Sequence, residues 1–297
     1  MSNMTDYPAP HASQMISGGR VGFLLLHGLG GTPVEVRYLA FGLARQGYTV
    51  HCPLLAGHGG GIGCTSGTGW RDWYASVEAA HDELLKVCDV VIVGGLSAGS
   101  ILALELALNR PRQVHGITLY APTLWPDGWS VPWYAALFKL VWTPKLARWF
   151  RFVEREPYGI KDERVRSYIL RALAIADSAD SEIPGYDGTT MLELKWLVKR
   201  VKKRLHEVTQ PVLICHSRDD DQSDVRNAFW LQRRLGGIVD TCILDDSYHM
   251  VTVDRQRGLV LDRTHRFAAW LESRHAQPAR VQPARVPAER QRQEAAE

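Results

Sequence analysis

A serine set between glycines, Gly95-Leu96-Ser97-Ala98-Gly99, is the most chemically suggestive feature of the 297-residue chain. A G-x-S-x-G pentapeptide serves as a nucleophile elbow when it joins a buried strand to a helix. Here it follows the apolar run 90–93 and precedes the small and apolar residues Ala98–Asn109. The turn forces the serine into a strained backbone conformation, and side chains flanking it would collide with strand and helix, hence the glycines. Its hydroxyl then projects near a helix N-terminus, where developing negative charge is favoured.

A serine hydroxyl needs a base. Of the eleven histidines, His249 stands in Asp246-Ser247-Tyr248-His249-Met250, just past the last apolar run, Val239–Leu244, whereas His265 falls within a helical pattern. A neutral imidazole at that place takes the serine proton and returns it to the leaving group. The orienting carboxylate is expected after the preceding run, 212–215, where Ser217-Arg218-Asp219-Asp220-Asp221 stands, and spacing alone leaves all three aspartates open. The first apolar run ends in His27-Gly28-Leu29-Gly30-Gly31, whose glycines admit a close approach of backbone to a carbonyl. The amides of Leu29 and of Ala98 are the candidate oxyanion donors. No G-x-G-x-x-G or G-x-x-x-x-G-K-[ST] occurs there, which argues against a phosphate-binding loop. His58, in the glycine-rich 56–61 stretch, is read as bracing its own loop, and Trp70 and Trp73 as helix-packing residues.

The elements that must position these groups follow from the apolar pattern. Six short runs, at 21–26, 48–52, 90–93, 115–120, 212–215 and 239–244, have the near-continuous apolar character of strands buried on both faces. Helical patterns separate most of them, over 70–87, 98–109, 224–235 and 256–274, and Thr32-Pro33-Val34-Glu35 predicts a capping box opening a helix to about residue 46. This alternation predicts an α/β fold with a mainly parallel sheet. It breaks after Tyr120. From about 122 to 193 no buried strand is expected, and the stretch is read as a helical cap laid over the carboxyl edge of the sheet. The helix at 193–206 carries six Lys/Arg opposite an apolar face, read as a solvated face.

Composition excludes several classes. Hydrophobic residues make up 45% and charged residues 23%, enough apolar material for a large core. A net charge of +3 is too weak for nucleic acid to be the main partner. The five cysteines, at 52, 64, 88, 215 and 242, include no C-x-x-C pair, which argues against a disulfide framework or a thiolate metal site. No signal peptide and no membrane-length apolar run is visible, so a cytoplasmic location is expected. By segment the charge is −1 over 1–121, +5 over 122–206 and −2 over 207–274, so the basic excess lies in the insert together with six of the ten tryptophans. The expected organisation is a leader at 1–20, a core formed by 21–121 and 207–274, the insert and its connecting helix at 122–206, and a disordered tail at 275–297.

These residues resemble the bacterial carboxylesterase and monoacylglycerol-lipase group of the α/β-hydrolase superfamily. The likeness runs over roughly 21–271 and is most specific in LLLHGLGGTPVEVRYLA, in PLLAGHG with the later WRDW, in VVIVGGLSAGS and in SYHMVTVD. It implies Ser97 as nucleophile, His249 as base, and Leu29 and Ala98 as oxyanion donors. In relatives the acid precedes a helix-opening small-residue pair; setting that pair on Asn227-Ala228 points to Asp220, with Asp219 as the fallback. Ala98 and Ser100 stand where bulkier or glycine residues are common, and the insert matches only loosely. The implied fold is that of an α/β-hydrolase, and the implied activity is cleavage of small hydrophobic acyl esters, short- to medium-chain or monoacylglycerols, with no cofactor or metal. Thioester hydrolysis or acyl transfer by the same triad is the alternative, with a non-catalytic binding protein on the same fold a more distant one. Dehalogenase and epoxide-hydrolase chemistry is disfavoured, since those enzymes place Asp where Ser97 stands.

Overall fold

A short edge strand, β1 (Gln14–Ile16), opens the computed structural model, which describes residues 12–59, 65, 67–153, 155–174 and 185–276. The chain continues through β2 (Val21–Leu26), a 3-10 turn at Pro33–Glu35, α1 (Arg37–Arg45), β3 (Thr49–Cys52), α2 (Trp70–Leu85), β4 (Val90–Leu96), α3 (Ala98–Asn109) and β5 (Gly116–Tyr120). An inserted segment follows: a 3-10 helix at Trp133–Leu140, α4 (Pro144–Ala147), β6 (Arg151–Val153), α5 (Glu163–Ala174), β7 (Gly185–Asp187) and α6 (Gly188–Arg204). The sheet resumes with β8 (Val212–Ser217), α7 (Arg226–Gln232), β9 (Val239–Leu244) and α8 (Arg257–Ala276).

The seven-stranded sheet has the order β1-β3-β2-β4-β5-β8-β9, and every pairing is parallel except that of β1 with β3. Strand β4 shows why the runs read as continuous. All seven of its residues are buried, and alternation sends Val91 and Val93 to one face and Val90, Ile92 and Leu96 to the other. Helices α2, α3 and α6 cover the first face with Trp73, Ile101 and Leu197; α1 and α8 cover the second with Leu39, Leu43 and Phe267. Burial on both faces is what a parallel sheet requires.

Several expectations need revising. The segment assigned to a leader contributes β1, which extends the sheet by backbone pairing with β3. The capping box does not form: the Thr32 side chain makes no cap hydrogen bond, and the turn at Pro33–Glu35 precedes a shorter α1. Within the insert, read as a helical cap, Trp133–Leu140 forms a 3-10 helix in place of an α-helix, with Trp133 83% exposed. Nor is the basic face of α6 simply solvated. Lys195 Nζ donates to the carbonyls of Phe138, Lys139 and Val141 at 3.2, 2.7 and 2.7 Å, closing the end of that 3-10 helix. Arg200 Nε donates to the buried Glu105 of α3 at 2.6 Å. Cys64, residues 1–11 and the expected tail beyond Ala276 lie outside the described residues.

The Arg200–Glu105 pair joins α6 to the helix that follows Ser97. Removing the cation leaves a buried carboxylate with weaker compensation. Arg200→Met is expected to lower stability by about 2 kcal/mol in urea denaturation, discounted from a fully buried pair because Arg200 is half-exposed. A change below about 0.5 kcal/mol would show that the pair carries no weight.

Candidate active site

Ser97 stands between the last residue of β4 and the first of α3 with φ 53° and ψ −114°, a left-handed region that only glycine enters without strain. Two neighbours fix it there. The Ser97 amide donates to Tyr120 O at 2.9 Å across the sheet, and Ser100 Oγ donates to Gly95 O at 2.6 Å. The glycines have a steric reason: a Cβ on Gly95 would stand 2.1 Å from Gly99 C, and one on Gly99 would stand 2.6 Å from His27 O. Ser97 Oγ is hydrogen-bonded to Thr123 Oγ1 at 3.1 Å. Ala98 opens α3, so its amide belongs to the first turn, which a helix leaves without an internal acceptor.

His249 lies on the loop after β9, and its Nδ1 is 2.9 Å from Asp220 Oδ2 and 3.0 Å from Oδ1. A carboxylate at Nδ1 places the ring proton there and leaves the Nε2 lone pair to act as base. Asp220 is buried. Burial pushes its carboxyl up, yet the His249 and His216 rings and the Ser223 amide together hold it below the ordinary aspartate value. It also accepts the Gln222 and Ser223 amides at 2.9 and 2.8 Å, so its position is set by its own loop. The other two aspartates do different work. Asp219 is exposed and offers its carbonyl to Trp129 Nε1 at 3.1 Å. Asp221 is buried beside His249 and accepts the amides of Gly159 at 3.0 Å and His249 at 3.3 Å. Burial, aided by the Asp220 charge and opposed by His249, pushes its carboxyl up to about 6.

The Gly28–Gly31 loop, expected to hold an oxyanion donor, is braced from three sides. His27 is fully buried, and burial beside His58 drives its pKa down to about 3, so it is neutral. Its Nδ1–H donates to Gly28 O at 2.8 Å, and its Nε2 accepts the Leu55 amide at 3.2 Å. Glu35 accepts the Gly28 amide at 2.8 Å, and Tyr186 of β7 donates its hydroxyl to Leu29 O at 2.9 Å. His58 packs edge-on against His27 and Trp73 and bonds Ala56 O at 2.9 Å, away from the cavity wall. Glu35 and Tyr186 were not anticipated. The first looks in sequence like a helix-capping residue, and the second stands in a stretch with no periodic pattern.

Ser97, Leu29, Thr123, Glu35 and His249 line one cavity of about 170 Å³, roofed by Tyr134, Phe152, Tyr158 and Met191 of the inserted segment. Asp220 lies behind His249 and Ala98 behind Ser97. The five residues singled out from sequence therefore converge on one place. Among the described residues no group of three or more His, Cys, Asp or Glu is arranged to hold a metal ion, and no helix is long and apolar enough to cross a membrane.

Residues 20–256 match the Hydrolase_4 family, described as serine aminopeptidase, S33. A thermostable monoacylglycerol lipase of Bacillus sp. (strain H-257) is 29% identical over 252 residues, covering 84% of this chain and 91% of the relative. A carboxylesterase of Bacillus subtilis (strain 168) is 24% identical over 260 residues, covering 86% and 95%. Among solved structures, one from work on the metagenome-derived lipolytic enzymes LipS and LipT superposes with a TM-score of 0.73 at 28% identity, covering 89% of this chain and 98% of that one. The monoacylglycerol lipase of Paleococcus ferrophilus, at 16% identity and a TM-score of 0.68 over 88% of this chain and 98% of its own, shares the fold.

Two measurements test the bracing. Glu35→Ala leaves the buried Gly28 amide without that acceptor and is expected to cost about 1–3 kcal/mol, while Glu35→Gln, which keeps an acceptor oxygen, recovers most of it; equal melting temperatures for both variants would remove the bond from the account. For Asp221 the native pKa lies above the unfolded value of 3.8. Its contribution is therefore fully present below pH 3.8 and is lost as pH rises through about 6. Relative to Asp221→Asn, the parent is expected to lose on the order of 2–3 kcal/mol between pH 4 and 7, at about 1.4 kcal/mol per pKa unit. A pH-independent difference would show that Asp221 is ionised throughout.

Proposed function

The chain belongs to the Hydrolase_4 family (serine aminopeptidase, S33), an esterase- and lipase-type serine hydrolase family, and on that premise we propose that it hydrolyses carboxylic esters, short- to medium-chain acyl esters or monoacylglycerols, through an acyl-enzyme on Ser97. The observation that carries this is the pairing of Asp220 with His249 Nδ1 at 2.9 Å beside a cavity that also receives Ser97 from its left-handed turn. Ester rather than peptide cleavage is favoured because relatives matched over more than nine-tenths of their own length are named monoacylglycerol lipase and carboxylesterase.

In this mechanism the ester carbonyl displaces Thr123 as the neighbour of Ser97 Oγ. The hydroxyl attacks, and its proton passes to His249 Nε2 while Asp220 holds the opposite ring nitrogen and stabilises the imidazolium. Negative charge on the carbonyl oxygen is met by the Leu29 and Ala98 amides, the second at the positive end of α3. The imidazolium protonates the departing alcohol. Water then attacks the acyl carbonyl as it gives a proton to His249, which returns that proton to Ser97 Oγ as the acid leaves. The apolar roof residues Phe152 and Met191 suit an acyl chain.

Cleavage of p-nitrophenyl butyrate is expected, with negligible cleavage of amino-acid p-nitroanilides. Ser97→Ala is expected to lower kcat by on the order of a millionfold and to abolish labelling by a fluorophosphonate. A folded Ser97→Ala protein within tenfold of the parent rate would exclude this nucleophile, and p-nitroanilide turnover exceeding ester turnover would move the assignment to peptides.

A further inference from the structure

Beside the catalytic cavity lies a second, larger groove of about 960 Å³. The two share a wall formed by Thr123, Ala135, Phe152, Met191 and Leu194. At about 170 Å³ the catalytic cavity is smaller than the roughly 300–1,000 Å³ of pockets that enclose small organic ligands. Any substrate longer than a short acyl group must extend beyond it, and the groove is the adjoining space.

The groove is lined by cations set on aromatic rings. Lys195, Lys199 and Lys202 follow one another along one face of α6, and Lys139 faces them from the 3-10 helix. Lys202 Nζ stands 4.2 Å from the Trp125 ring centroid and 4.8 Å from that of Trp230; Lys199 Nζ stands 4.4 Å from that of Trp142. Such contacts hold an ammonium in place without neutralising it. Among the described residues Lys161 is the one lysine in an ion pair, with Asp246 and away from this groove. The one carboxylate on the groove wall, Asp127, is already engaged by Trp125 Nε1 at 2.5 Å, Asn227 Nδ2 at 3.1 Å and Arg226 at 3.4 Å. Burial, with Lys139 and Arg234 nearby, pulls the Lys202 pKa down. The groove thus concentrates unneutralised positive charge against an apolar wall, and an anion there would relieve it.

We propose that this groove is a second compartment of the substrate site, which receives the anionic end, a carboxylate or a phosphate, of a two-ended ester whose chain crosses the shared wall while its carbonyl stands at Ser97. The assignment rests on the ester-hydrolysis reading above. It makes the enzyme selective for amphiphiles charged at the end remote from the scissile bond. The apolar stretch between Phe152 and Leu194 takes the methylene chain, and Lys139, Lys199 and Lys202 take the charge.

The test compares three p-nitrophenyl esters of eight-carbon chains: octanoate, the ω-carboxylate monoester of suberate, and the ω-phosphate of 8-hydroxyoctanoate. The parent is expected to favour one or both charged esters by at least about tenfold in kcat/KM, equivalent to about 1.4 kcal/mol, and the two charged esters tell carboxylate from phosphate. In a K139Q/K199Q/K202Q variant the charged-to-neutral ratio is expected to fall to about 1, and raised salt is expected to lower it in the parent. A parent that cleaves all three equally overturns the proposal and leaves ester hydrolysis standing. If no ester is cleaved, the ester reading fails, and octyl phosphate titrated into the Ser97→Ala protein decides on the groove. Saturable tryptophan quenching that the lysine substitutions remove supports an anion site, and its absence overturns it. Lysine-dependent sedimentation with phosphatidylglycerol vesicles, without ester preference, would assign the cluster to a lipid surface and overturn the proposal.

Discussion

The left-handed backbone of Ser97 is the constraint around which the rest is arranged. A non-glycine residue at φ 53° costs on the order of 1–3 kcal/mol, and it persists because the sheet over-determines it. Tyr120 of β5 receives the Ser97 amide, Gly95 and Gly99 clear the space on either side, and α3 begins at the next residue. Relaxing the turn would withdraw the hydroxyl from the cavity and turn the α3 amide away from the same point. The placement of the Ser97 hydroxyl and that of the first α3 amide are therefore products of a single backbone choice.

The base-bearing side shows the opposite economy, with charge in place of strain. Two aspartates adjacent in sequence are buried within bonding distance of His249, and their environments drive them apart. Asp220 is held ionised by the His249 and His216 rings and two amides; burial pushes Asp221 up to about 6 although it accepts the amides of Gly159 and His249. The first orients the ring and the second orients the backbone that carries it. Asp219, a single residue away, is outside and does neither.

Much of this was legible because parallel sheets leave continuous apolar runs and a βα turn announces itself by its glycines. The positions of Ser97 and His249 follow from chain order, and Asp220 from chain order together with the family resemblance. Glu35 was misread because Thr-x-x-Glu is the pattern of a local cap, and only tertiary geometry reveals that the carboxylate turns to Gly28 instead. The 3-10 helix at Trp133–Leu140 was not legible for a related reason. Its apolar residues satisfy neither a helical stripe nor strand alternation, since a 3-10 helix on the surface imposes neither period. The basic face of α6 looked solvated because a sequence does not say which aromatic rings will arrive beneath the lysines from Trp125, Trp142 and Trp230.

The bond from Tyr186 to Leu29 O bears on how such a protein can change. The inserted segment meets the Gly28–Gly31 loop there, and it meets the His249 loop through Gly159, whose carbonyl accepts the Met250 amide at 2.7 Å. It is thereby stitched to the loops on both sides of the cavity. A replacement segment with a different pocket would have to reproduce both stitches before its new pocket could matter. Substrate range in this architecture is thus freer to drift by substitution within the existing roof than by wholesale exchange of the roof.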